Sequence, residues 1–325
     1  MNNSGIALIM VLLNEAESLP RLIESVARQT LQPDEIIICD TGSEDDTMKI
    51  LGSWQKSLPQ KVNIIERAGA NIARGRNQAI NASVSPIICV TDGGCVLDQN
   101  WIEQISLPLR SGDEATGIVY GKTVAVGKGR IGRQFSFMYD IKTEDDLQKS
   151  DYSANSMAFR KSTWDAVGGF PEWLTLAAED ILFARQIEKI SRSQIASKAR
   201  VFWYHGEESL GEIFKKHLRN SKGEGEANLF GARYLALTSI YISMLVMLIS
   251  SLFRLVLLPS SILIAIAMCC RHTAMAIKKG ANLIDALAIL PTVTLVRDIG
   301  MIAGFLIGLK LRISNRNIRR TLRAD

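Results

Sequence analysis

The first hundred residues alternate short apolar runs with segments of helical periodicity. Four of these runs have the length and composition of buried strands, and they lie at residues 6–13, 36–39, 62–65 and 87–91. Between the first two runs, the apolar residues Leu19, Leu22, Ile23 and Val26 recur at i, i+3, i+4 and i+7, which predicts a helix. A further helix is predicted at 71–83. Strands that alternate with helices predict an α/β fold with a mostly parallel sheet.

Acidic residues follow two of these predicted strands directly. Asp40 comes after the run at 36–39, and Asp92 comes after the run at 87–91. In open parallel sheets, ligands bind beyond the carboxyl ends of the strands. Chain order alone therefore predicts that Asp40 and Asp92 face one crevice.

The hydrophobic pattern changes in the last third of the chain. Residues 234–309 contain only seven charged side chains in 76 positions. Within them, residues 234–253 form a 20-residue run without a charge, which matches the ~20 residues needed to cross a ~30 Å hydrocarbon core. Residues 255–270 are shorter and are interrupted by Pro259, so we expect the return leg of a hairpin there. The alternative is a buried helical domain of a soluble protein.

A third apolar stretch, residues 283–309, carries Arg297 and Asp298 near its middle. Because an ion pair is costly in lipid, we expect a re-entrant or interfacial element there instead of a clean span. The basic residues of 310–323 indicate a cytoplasmic end by the positive-inside rule. The first apolar run is too short for a signal peptide. These features predict a protein of the inner (cytoplasmic) membrane whose catalytic domain lies on the cytoplasmic side.

Composition narrows the class of protein further. The chain has 325 residues, with 38 Lys and Arg, 33 Asp and Glu, a net charge of +5 and 47% hydrophobic residues. That length suits about two domains, and that apolar content excludes a disordered chain. The five cysteines form no CxxC pair, which argues against a disulfide framework or a cysteine metal site. Basic residues cluster beside the apolar segments without interleaved aromatics, so we expect no nucleic-acid partner.

Five short motifs follow one another at the predicted strands and loops. They are IALIMVLLNEAE at 6–17, EIIICDTGSEDDT at 35–47, VTDGG at 90–94, GGFPE at 168–172 and AED at 178–180. No single motif is specific, but in this order they resemble the signature of family-2 glycosyltransferases over roughly residues 4–228. The resemblance implies a GT-A fold: a Rossmann-like, mostly parallel sheet flanked by helices, followed here by C-terminal membrane-associated helices.

The resemblance also implies a division of the chain. Residues 1–228 would form the GT-A glycosyltransferase domain, with a nucleotide-binding half at 1–97 and an acceptor half at 98–228. Residues 229–312 would form the membrane-associated helices. Residues 313–325 would form a basic cytoplasmic tail.

The resemblance assigns the chemistry to the acidic motifs. Asp180 would be the general base, with Glu179 beside it, because an inverting transfer needs one carboxylate to take the proton of the acceptor hydroxyl. Asp92 would hold a divalent metal, Mg²⁺ or Mn²⁺, at the donor diphosphate, with His205 as a second candidate ligand. The family usually has a second Asp where this chain has Gly94. The alternatives are a helix N-terminal role for Asp180, a turn cap at Asp92 and a structural His205.

The nucleotide-sugar would bind along the ends of the first strands. Asp40 would recognise the base, since a carboxylate accepts hydrogen bonds from uracil or guanine, and Arg76 would reach the diphosphate. The expected contact residues are Asn14, Glu15, Asp40, Gly42, Arg76, Asp92 and Gly93. The alternatives are an Asx turn at Asp40, helix capping by Glu15 and a solvated helix face for Arg76.

These features together predict a metal-dependent inverting glycosyltransferase at a membrane. It would move a hexose-type sugar from a nucleotide-diphosphate-sugar to an acceptor hydroxyl, on a lipid-linked sugar or a polysaccharide precursor of the cell envelope. The alternative is a non-catalytic or nucleotide-binding membrane relative of the fold, for which Gly94 is the main argument. A nucleotidyltransferase is disfavoured because the chain has no GxxxxGK[ST] phosphate loop.

Overall fold

The computed structural model describes residues 5–58, 61–139, 153–251 and 272–314, together with positions 259 and 263. Within these residues, eight strands form one sheet. The strands are β1 (Ile6–Leu12), β2 (Glu35–Asp40), β3 (Val62–Glu66), β4 (Ile87–Val90), β5 (Cys95–Leu97), β6 (Thr116–Val126), β7 (Met157–Arg160) and β8 (Arg192–Tyr204).

The sheet has a parallel half and an antiparallel half. Its strands lie in the order β3-β2-β1-β4-β7-β6-β8-β5. β1 pairs in parallel with β2 and β4, and β2 pairs in parallel with β3, as the N-terminal alternation predicts. β7 pairs antiparallel with β4 and β6, and β5 pairs antiparallel with β8. The α/β class is therefore confirmed, and the sheet as a whole is mixed.

Helices connect and flank these strands. They are α1 (Leu19–Ala27), α2 (Thr47–Ser57), α3 (Ile72–Ala82), α4 (Trp101–Arg110), α5 (Gly129–Tyr139), α6 (Lys161–Ala166), α7 (Glu179–Ile187), α8 (Leu210–Ala227), α9 (Gly231–Ser251) and α10 (Leu283–Ser314). A 3₁₀ turn covers Ala154–Ser156, and residues 272–278 are helical. The helices predicted from Leu19 and at 71–83 are α1 and α3.

Alternation along β1 divides the core into two layers. Its even-numbered residues belong to one apolar cluster, and its odd-numbered residues pack in a second. Successive side chains of a strand point to opposite faces, so the sheet is covered on both sides. Trp101 of α4 lies in the first cluster and Phe183 of α7 in the second. With both faces covered, the carboxyl ends of β1, β2 and β4 remain as the place for a ligand.

The chain forms two compact units. The sheet unit consists of residues 1–125, 142–175 and 179–204, and the helical unit of residues 126–141, 176–178 and 205–325. Segment 205–228, which contains α8, belongs to the helical unit. The division into nucleotide-binding half, acceptor half and tail stays a prediction.

Among the described residues of the helical unit, two helices are long and apolar enough to cross a membrane, namely α9 and α10. α9 coincides with the uncharged run predicted at 234–253. α10 contains the predicted element at 283–309 and continues to Ser314. Apart from positions 259 and 263, the predicted return leg at 255–270 lies outside the described residues, as does the tail beyond Ser314.

Candidate active site

The loops after β1 and β2 are clipped together by hydrogen bonds. The backbone N–H of Asn14 donates to Ser43 Oγ over 2.8 Å, and the side-chain oxygen of Asn14 accepts from the N–H of Glu44 over 2.8 Å. The N–H of Glu15 donates to Thr47 Oγ1 over 2.8 Å. Asn14 has a φ of 56°, in the left-handed region where Asn is enriched. These contacts fix the loop that holds Asn14 and Glu15 at the carboxyl edge of the sheet.

Asp40 ends β2 and folds its carboxylate back onto its own loop. Its Oδ1 accepts from the N–H groups of Gly42 and Ser43, both at 2.9 Å, and its Oδ2 accepts from Ser43 Oγ at 2.5 Å. Gly42 has a φ of 111°, which favours glycine at this turn. The Asx turn that the sequence leaves open is therefore formed. Recognition of a base by the same carboxylate stays a prediction.

Asp92 follows β4 and lies at the same edge of the sheet as Asp40, with β1 between their strands. The Asp92 side chain is 30% exposed, and its Oδ1 accepts from Arg76 Nη2 over 2.9 Å. Next to it, a Cβ at Gly93 would lie 2.6 Å from the side chain of Glu15. Glycine at this position thus lets Glu15 lie directly against the backbone beside Asp92.

Glu15 is a half-buried carboxylate near other acids. Burial raises its pKa, a hydrogen bond from Ser18 Oγ opposes that shift, and the nearby charges of Asp92 and Asp45 add to it. Its backbone oxygen accepts from the N–H groups of Ser18 and Leu19, where α1 begins. Glu15 therefore shapes the start of α1 and also lies beside Asp92.

Gly94 occupies the position where a second acidic residue is expected from the resemblance. A Cβ built there would lie 3.5 Å from the backbone oxygen of Tyr204 and 3.6 Å from Trp203, which is ordinary van der Waals contact. The backbone at Gly94 therefore has room for a side chain. Its lack of one is a difference in composition, without a steric cause.

Arg76 lies inside the site instead of on a solvated helix face. Its side chain is 1% exposed, and its guanidinium forms ion pairs with Asp92 Oδ1 (2.9 Å) and with Glu179 Oε1. Burial lowers the pKa of Arg76, but the carboxylates of Asp92, Glu179 and Asp180 raise it more, so the net shift is upward. The guanidinium also lies over the Phe170 ring, 5.4 Å from its centre. The predicted contact with a diphosphate stays a prediction.

Glu179 and Asp180 open α7 and have different surroundings. Glu179 is 5% exposed and is paired with Arg76. Asp180 is only partly buried and forms no ion pair with a described residue. Its Oδ2 accepts from the N–H of Ala154 over 3.2 Å, and its Oδ1 accepts from the N–H of Ile181 over 2.8 Å. The charge of Glu179 is thus balanced by Arg76, whereas Asp180 has no ion-pair partner among the described residues.

The pKa of Asp180 reflects this arrangement. Burial raises it most, the charge of Glu179 raises it further, and Arg76 and the N–H of Ala154 oppose the rise, which leaves the pKa at about 7. A general base works best when its pKa lies near the operating pH. The residue with the predicted base role thus has the electrostatics that the role requires.

Two asparagines that the sequence reading missed connect α3 to the GGFPE loop. Asn77 Oδ1 accepts from the N–H of Phe170 (2.8 Å), and its Nδ2 donates to the Phe170 oxygen (2.9 Å) and to Glu172 Oε1 (3.0 Å). Asn71 caps α3 at Arg74 and donates to the Glu172 oxygen over 2.8 Å. The loop is thereby tied to the helix that carries Arg76. The Asn that directly follows Arg76 in the sequence is the signal that could have indicated this role.

His205 belongs to the helical unit and is buried there. Its Nε2 lies 2.8 Å from Ser136 Oγ, and its Nδ1 lies 3.2 Å from Glu207 Oε2. Glu207 also accepts from Lys216 Nζ over 2.9 Å. Both ring nitrogens thus face side chains of the same unit, which is the structural arrangement left open above. Metal binding by His205 stays a prediction.

The described residues contain no group of three His, Cys, Asp or Glu side chains placed to hold a metal ion. Asp92 presents a partly exposed carboxylate, of which Oδ1 accepts from Arg76. Mg²⁺ characteristically binds through one or two carboxylates together with substrate phosphates. The donor set therefore fits a divalent cation that a bound diphosphate would largely coordinate.

Residues 7–167 match the family described as Glycosyl transferase family 2. Glycosyltransferase AglE of Haloferax volcanii is 24% identical over 223 residues, which cover 67% of this chain and 72% of that protein. The O-antigen chain rhamnosyltransferase WbaN of Salmonella anatum is 27% identical over 191 residues, which cover 55% of this chain and 59% of that protein. The similarity thus includes the segments that carry Asp40, Arg76 and Asp92.

A solved structure shares the architecture. Mannosyltransferase PcManGT from Pyrobaculum calidifontis, in complex with GDP-Man and Mn²⁺, superposes with a TM-score of 0.58. The match covers 95% of this chain and 86% of that one, at 15% identity. At that identity the likeness concerns the fold alone, and it confirms the predicted GT-A fold.

Proposed function

Since the chain belongs to glycosyl transferase family 2 through residues 7–167, we propose that it moves a sugar from a nucleotide-diphosphate donor to an acceptor hydroxyl with inversion. One observation carries the mechanism: Asp180 is a partly buried carboxylate that forms no ion pair among the described residues, next to a Glu179 that Arg76 neutralises. A base in this state can accept a proton near neutral pH.

The proposed reaction is a single displacement. The acceptor oxygen attacks the anomeric carbon while Asp180 takes the hydroxyl proton. The bond between the anomeric carbon and the donor phosphate oxygen breaks on the opposite face, and the nucleoside diphosphate leaves with the bonding electron pair. The products are the new glycoside, the nucleoside diphosphate and a protonated Asp180, which returns its proton to water.

Arg76 has a positioning role in this proposal. Its guanidinium bridges Asp92 and Glu179, which come from widely separated segments of the chain. The two ion pairs orient the Asp92 carboxylate and fix the first residue of α7, so Asp180 is held in one direction. This role differs from the diphosphate contact that the resemblance suggests for Arg76.

We assign a divalent cation, Mg²⁺ or Mn²⁺, to Asp92 and the donor diphosphate. When bound, it would stabilise the charge of the departing diphosphate. The partly exposed carboxylate of Asp92 supports this assignment, and the Mn²⁺ bound in the solved mannosyltransferase complex is consistent with it. Asn14, Glu15, Asp40, Gly42 and Gly93 are the proposed nucleotide-sugar contacts, because they line the carboxyl edge of β1, β2 and β4.

The proposed acceptor is a saccharide of the cell envelope, lipid-linked or polymeric. The name of the Salmonella relative, an O-antigen chain rhamnosyltransferase, supports that class of acceptor. The apolar helices α9 and α10 support a membrane location for the enzyme. We propose the cytoplasmic face of the inner membrane, where nucleotide-sugars are made available to such enzymes.

The test is release of nucleoside diphosphate by the detergent-solubilised full chain. UDP-, GDP- and dTDP-sugars are each supplied with Mg²⁺, with Mn²⁺ or with a chelator. We expect release from one donor, loss of release with the chelator, and a fall of about 10²–10⁴-fold in Asp180→Asn, the range for a lost general base. Asp165→Asn, at an exposed carboxylate of α6, is the matched control and should keep full activity.

Two results would contradict the proposal. Full activity of Asp180→Asn would show that Asp180 is not the general base. Nucleotide binding without release, in every donor and with added acceptor saccharides, would favour the non-catalytic relative, for which Gly94 is the structural argument.

A further inference from the structure

We propose that α10 lies along a membrane surface, with its outer apolar face in an anionic headgroup layer, and does not cross the bilayer. The inference concerns the helical unit alone. It does not rest on the glycosyl transfer proposed above, and its test uses a different readout.

The lengths of the two apolar helices differ substantially. At about 1.5 Å per residue, the 21 residues of α9 extend about 32 Å, close to the ~30 Å of a hydrocarbon core. The 32 residues of α10 extend about 48 Å. α10 is therefore much longer than an upright span requires.

The inner face of α10 is covered from its first turn onwards. In its first half, Ala286, Leu290 and Val293 share an apolar cluster with Phe135 and Met138 of α5. At the same end, Arg130 of α5 forms an ion pair with Asp285. The first half of α10 is thus bound to a helix that carries an exposed cation.

The second half of α10 packs against α8 through glycines. Gly300, Gly304 and Gly308 lie one turn apart and face the backbone oxygens of Phe214, Leu218 and Lys222. A Cβ at Gly300 would lie 2.9 Å from the Phe214 oxygen, and at Gly304 and Gly308 it would clash outright. The backbones of α8 and α10 are therefore in direct contact, so the two helices share one depth relative to any membrane.

α8 is too polar for the interior of a bilayer. Its charged residues are Glu212, Lys215, Lys216, Arg219, Lys222, Glu224 and Glu226. Lys215 and Arg219 are exposed. If α10 crossed the membrane upright, its second half would carry α8 into the hydrocarbon, and its first half would do the same with Arg130 and Asp285. Charges at that depth are costly, whereas a flat α10 leaves all of them at the surface.

The central ion pair of α10 is enclosed by protein groups. Asp298 is 1% exposed, and it accepts from the Tyr241 hydroxyl of α9 over 3.0 Å and from Arg297 Nε over 2.7 Å. Arg297 Nη1 lies 3.1 Å from His272 Nε2. Asp298 therefore belongs to the protein-facing side of α10, where no lipid has to solvate it.

The outer face of α10 is apolar, and within the described part of the chain its side chains are exposed. Its exposed residues include Ile284, Leu287, Leu295, Ile299, Leu306, Ile307 and Ile313. Lys310 is the exposed charge near its C-terminal end, where a long side chain can extend to water. This strip has the form of the apolar face of an interfacial helix.

Charge identifies an anionic bilayer as the occupant. Residues 205–325 carry 16 Lys and Arg against 8 Asp and Glu, a net charge of +8, whereas the rest of the chain has a net charge of −3. Basic segments beside an apolar helix bind anionic lipid, at about 1 kcal/mol per Lys or Arg near the surface. The apolar strip and the positive charge belong to the same unit, as a lipid surface requires.

The experiment measures the depth of α10 in reconstituted vesicles. Single cysteines replace Ile284, Leu295 and Leu306 on the outer face, in a full chain with Cys269→Ser and Cys270→Ser; Cys39, Cys89 and Cys95 are buried. Each cysteine carries a nitroxide, and power saturation with oxygen and a nickel chelate gives its depth. The vesicles contain phosphatidylcholine with or without phosphatidylglycerol.

We expect the three labels to lie at one shallow depth, because a flat helix keeps its outer face level. An upright helix would instead place Leu295 about 16 Å deeper than Ile284, and that result would overturn the proposal. Water exposure of all three labels would also overturn it and would indicate a protein partner or a second copy on this face.

Charge reversal tests the lipid preference separately. Lys215→Glu with Arg219→Glu should weaken binding to the anionic vesicles by at least tenfold and change binding to neutral vesicles little. Equal loss on both vesicles would contradict the assigned role of charge. Nucleoside diphosphate release by each variant is recorded alongside, so a failed depth profile can be distinguished from a failed enzyme assignment.

Discussion

Each unit buries a cluster of charges, and the two clusters are balanced differently. In the sheet unit, Arg76 is the counterion of Asp92 and Glu179. The nearby charge of Asp180 also raises the pKa of Arg76. In the helical unit, Glu207 Oε2 forms an ion pair with Lys216 Nζ at 2.9 Å and lies 3.2 Å from His205 Nδ1. The first cluster has more carboxylates than cations. In the second cluster, the Glu207 carboxylate has two partners, Lys216 and His205.

The two clusters show that burial alone does not decide the state of a carboxylate. Burial raises the pKa of Asp180 and the pKa of Glu207. For Asp180 the charge of Glu179 adds to that effect, and the pKa reaches about 7. For Glu207 the bonds from His205 and Lys216 outweigh burial, and the pKa falls to about 2. The hydrogen bonds and neighbouring charges around each carboxylate therefore separate one that can exchange a proton from one that is fixed as a counterion.

The largest effect should come from removing the counterion of the first cluster. Arg76→Met leaves Glu179 buried without a cation, and we expect a loss of about 3–5 kcal/mol in the free energy of unfolding, the range for breaking a buried ion pair. Arg76→Lys keeps the charge but not the two-armed geometry, so it should recover part of the stability and less of the activity. Thermal unfolding and nucleoside diphosphate release measure the two quantities; wild-type stability of Arg76→Met would refute the counterion role.

Substitutions in the second cluster should lower the free energy of unfolding less, and neutral side chains should be able to replace its ion pair. Lys216→Met and Glu207→Gln should each lower the free energy of unfolding by about 2 kcal/mol, below the usual range because the Glu207 side chain keeps 16% exposure. The double variant should lose less than the sum of the two, since no charge is left without its partner. Additive losses in this cycle would show that the ion pair is not coupled as described.

The pH dependence of activity should also distinguish the two clusters. Asp180 acts as a base only when deprotonated, so activity should rise with pH through about 7 and level off above it. Glu179→Gln removes a charge that raises the Asp180 pKa, so the rise should move to lower pH. Glu207→Gln serves as the control and should leave the midpoint unchanged. A midpoint that stays fixed in Glu179→Gln would contradict the electrostatic coupling.

The smallest structural effect is expected from adding one more carboxylate to the first cluster. Gly94→Asp introduces a Cβ at ordinary contact distances, so its stability should remain within about 0.5 kcal/mol of the wild type. With a second acid near Asp92, less Mn²⁺ should be needed for half-maximal donor hydrolysis. Titration of the metal in Gly94→Asp and wild type, side by side, checks this; an unchanged requirement would mean that position 94 does not face the cation.

The hydrophobic pattern predicted the parallel half of the sheet, because this pattern is a local property of consecutive residues. The runs that became β1 to β4, and the spacing that became α1, each lie within a few consecutive residues of the chain. The antiparallel strands β5 to β8 were harder to place, since their pairing depends on contacts far apart in the chain. The pattern of a strand indicates which face is buried and does not indicate its neighbour.

The candidate site shows the same limit. Asp40, Asp92 and Asp180 were identified from motifs at strand and helix ends, and the structure places each at such an end. The partners of Arg76 were not predictable, because they come from separate segments and the charge of an Arg does not indicate which acid it meets. The recurrence of glycine at 300, 304 and 308 was a readable signal for close helix packing, and it indicates why α10 needs α8.

The glycine contact between α8 and α10 also bears on how the chain is made. α8 leaves the ribosome well before α10. During synthesis, the α8 face that includes Gly225 is therefore not yet packed against α10. A chain truncated after residue 228, the predicted end of the glycosyltransferase domain, would never form that packing contact. We expect such a fragment to aggregate or to be degraded, and the shortest stable product should extend through Gly308.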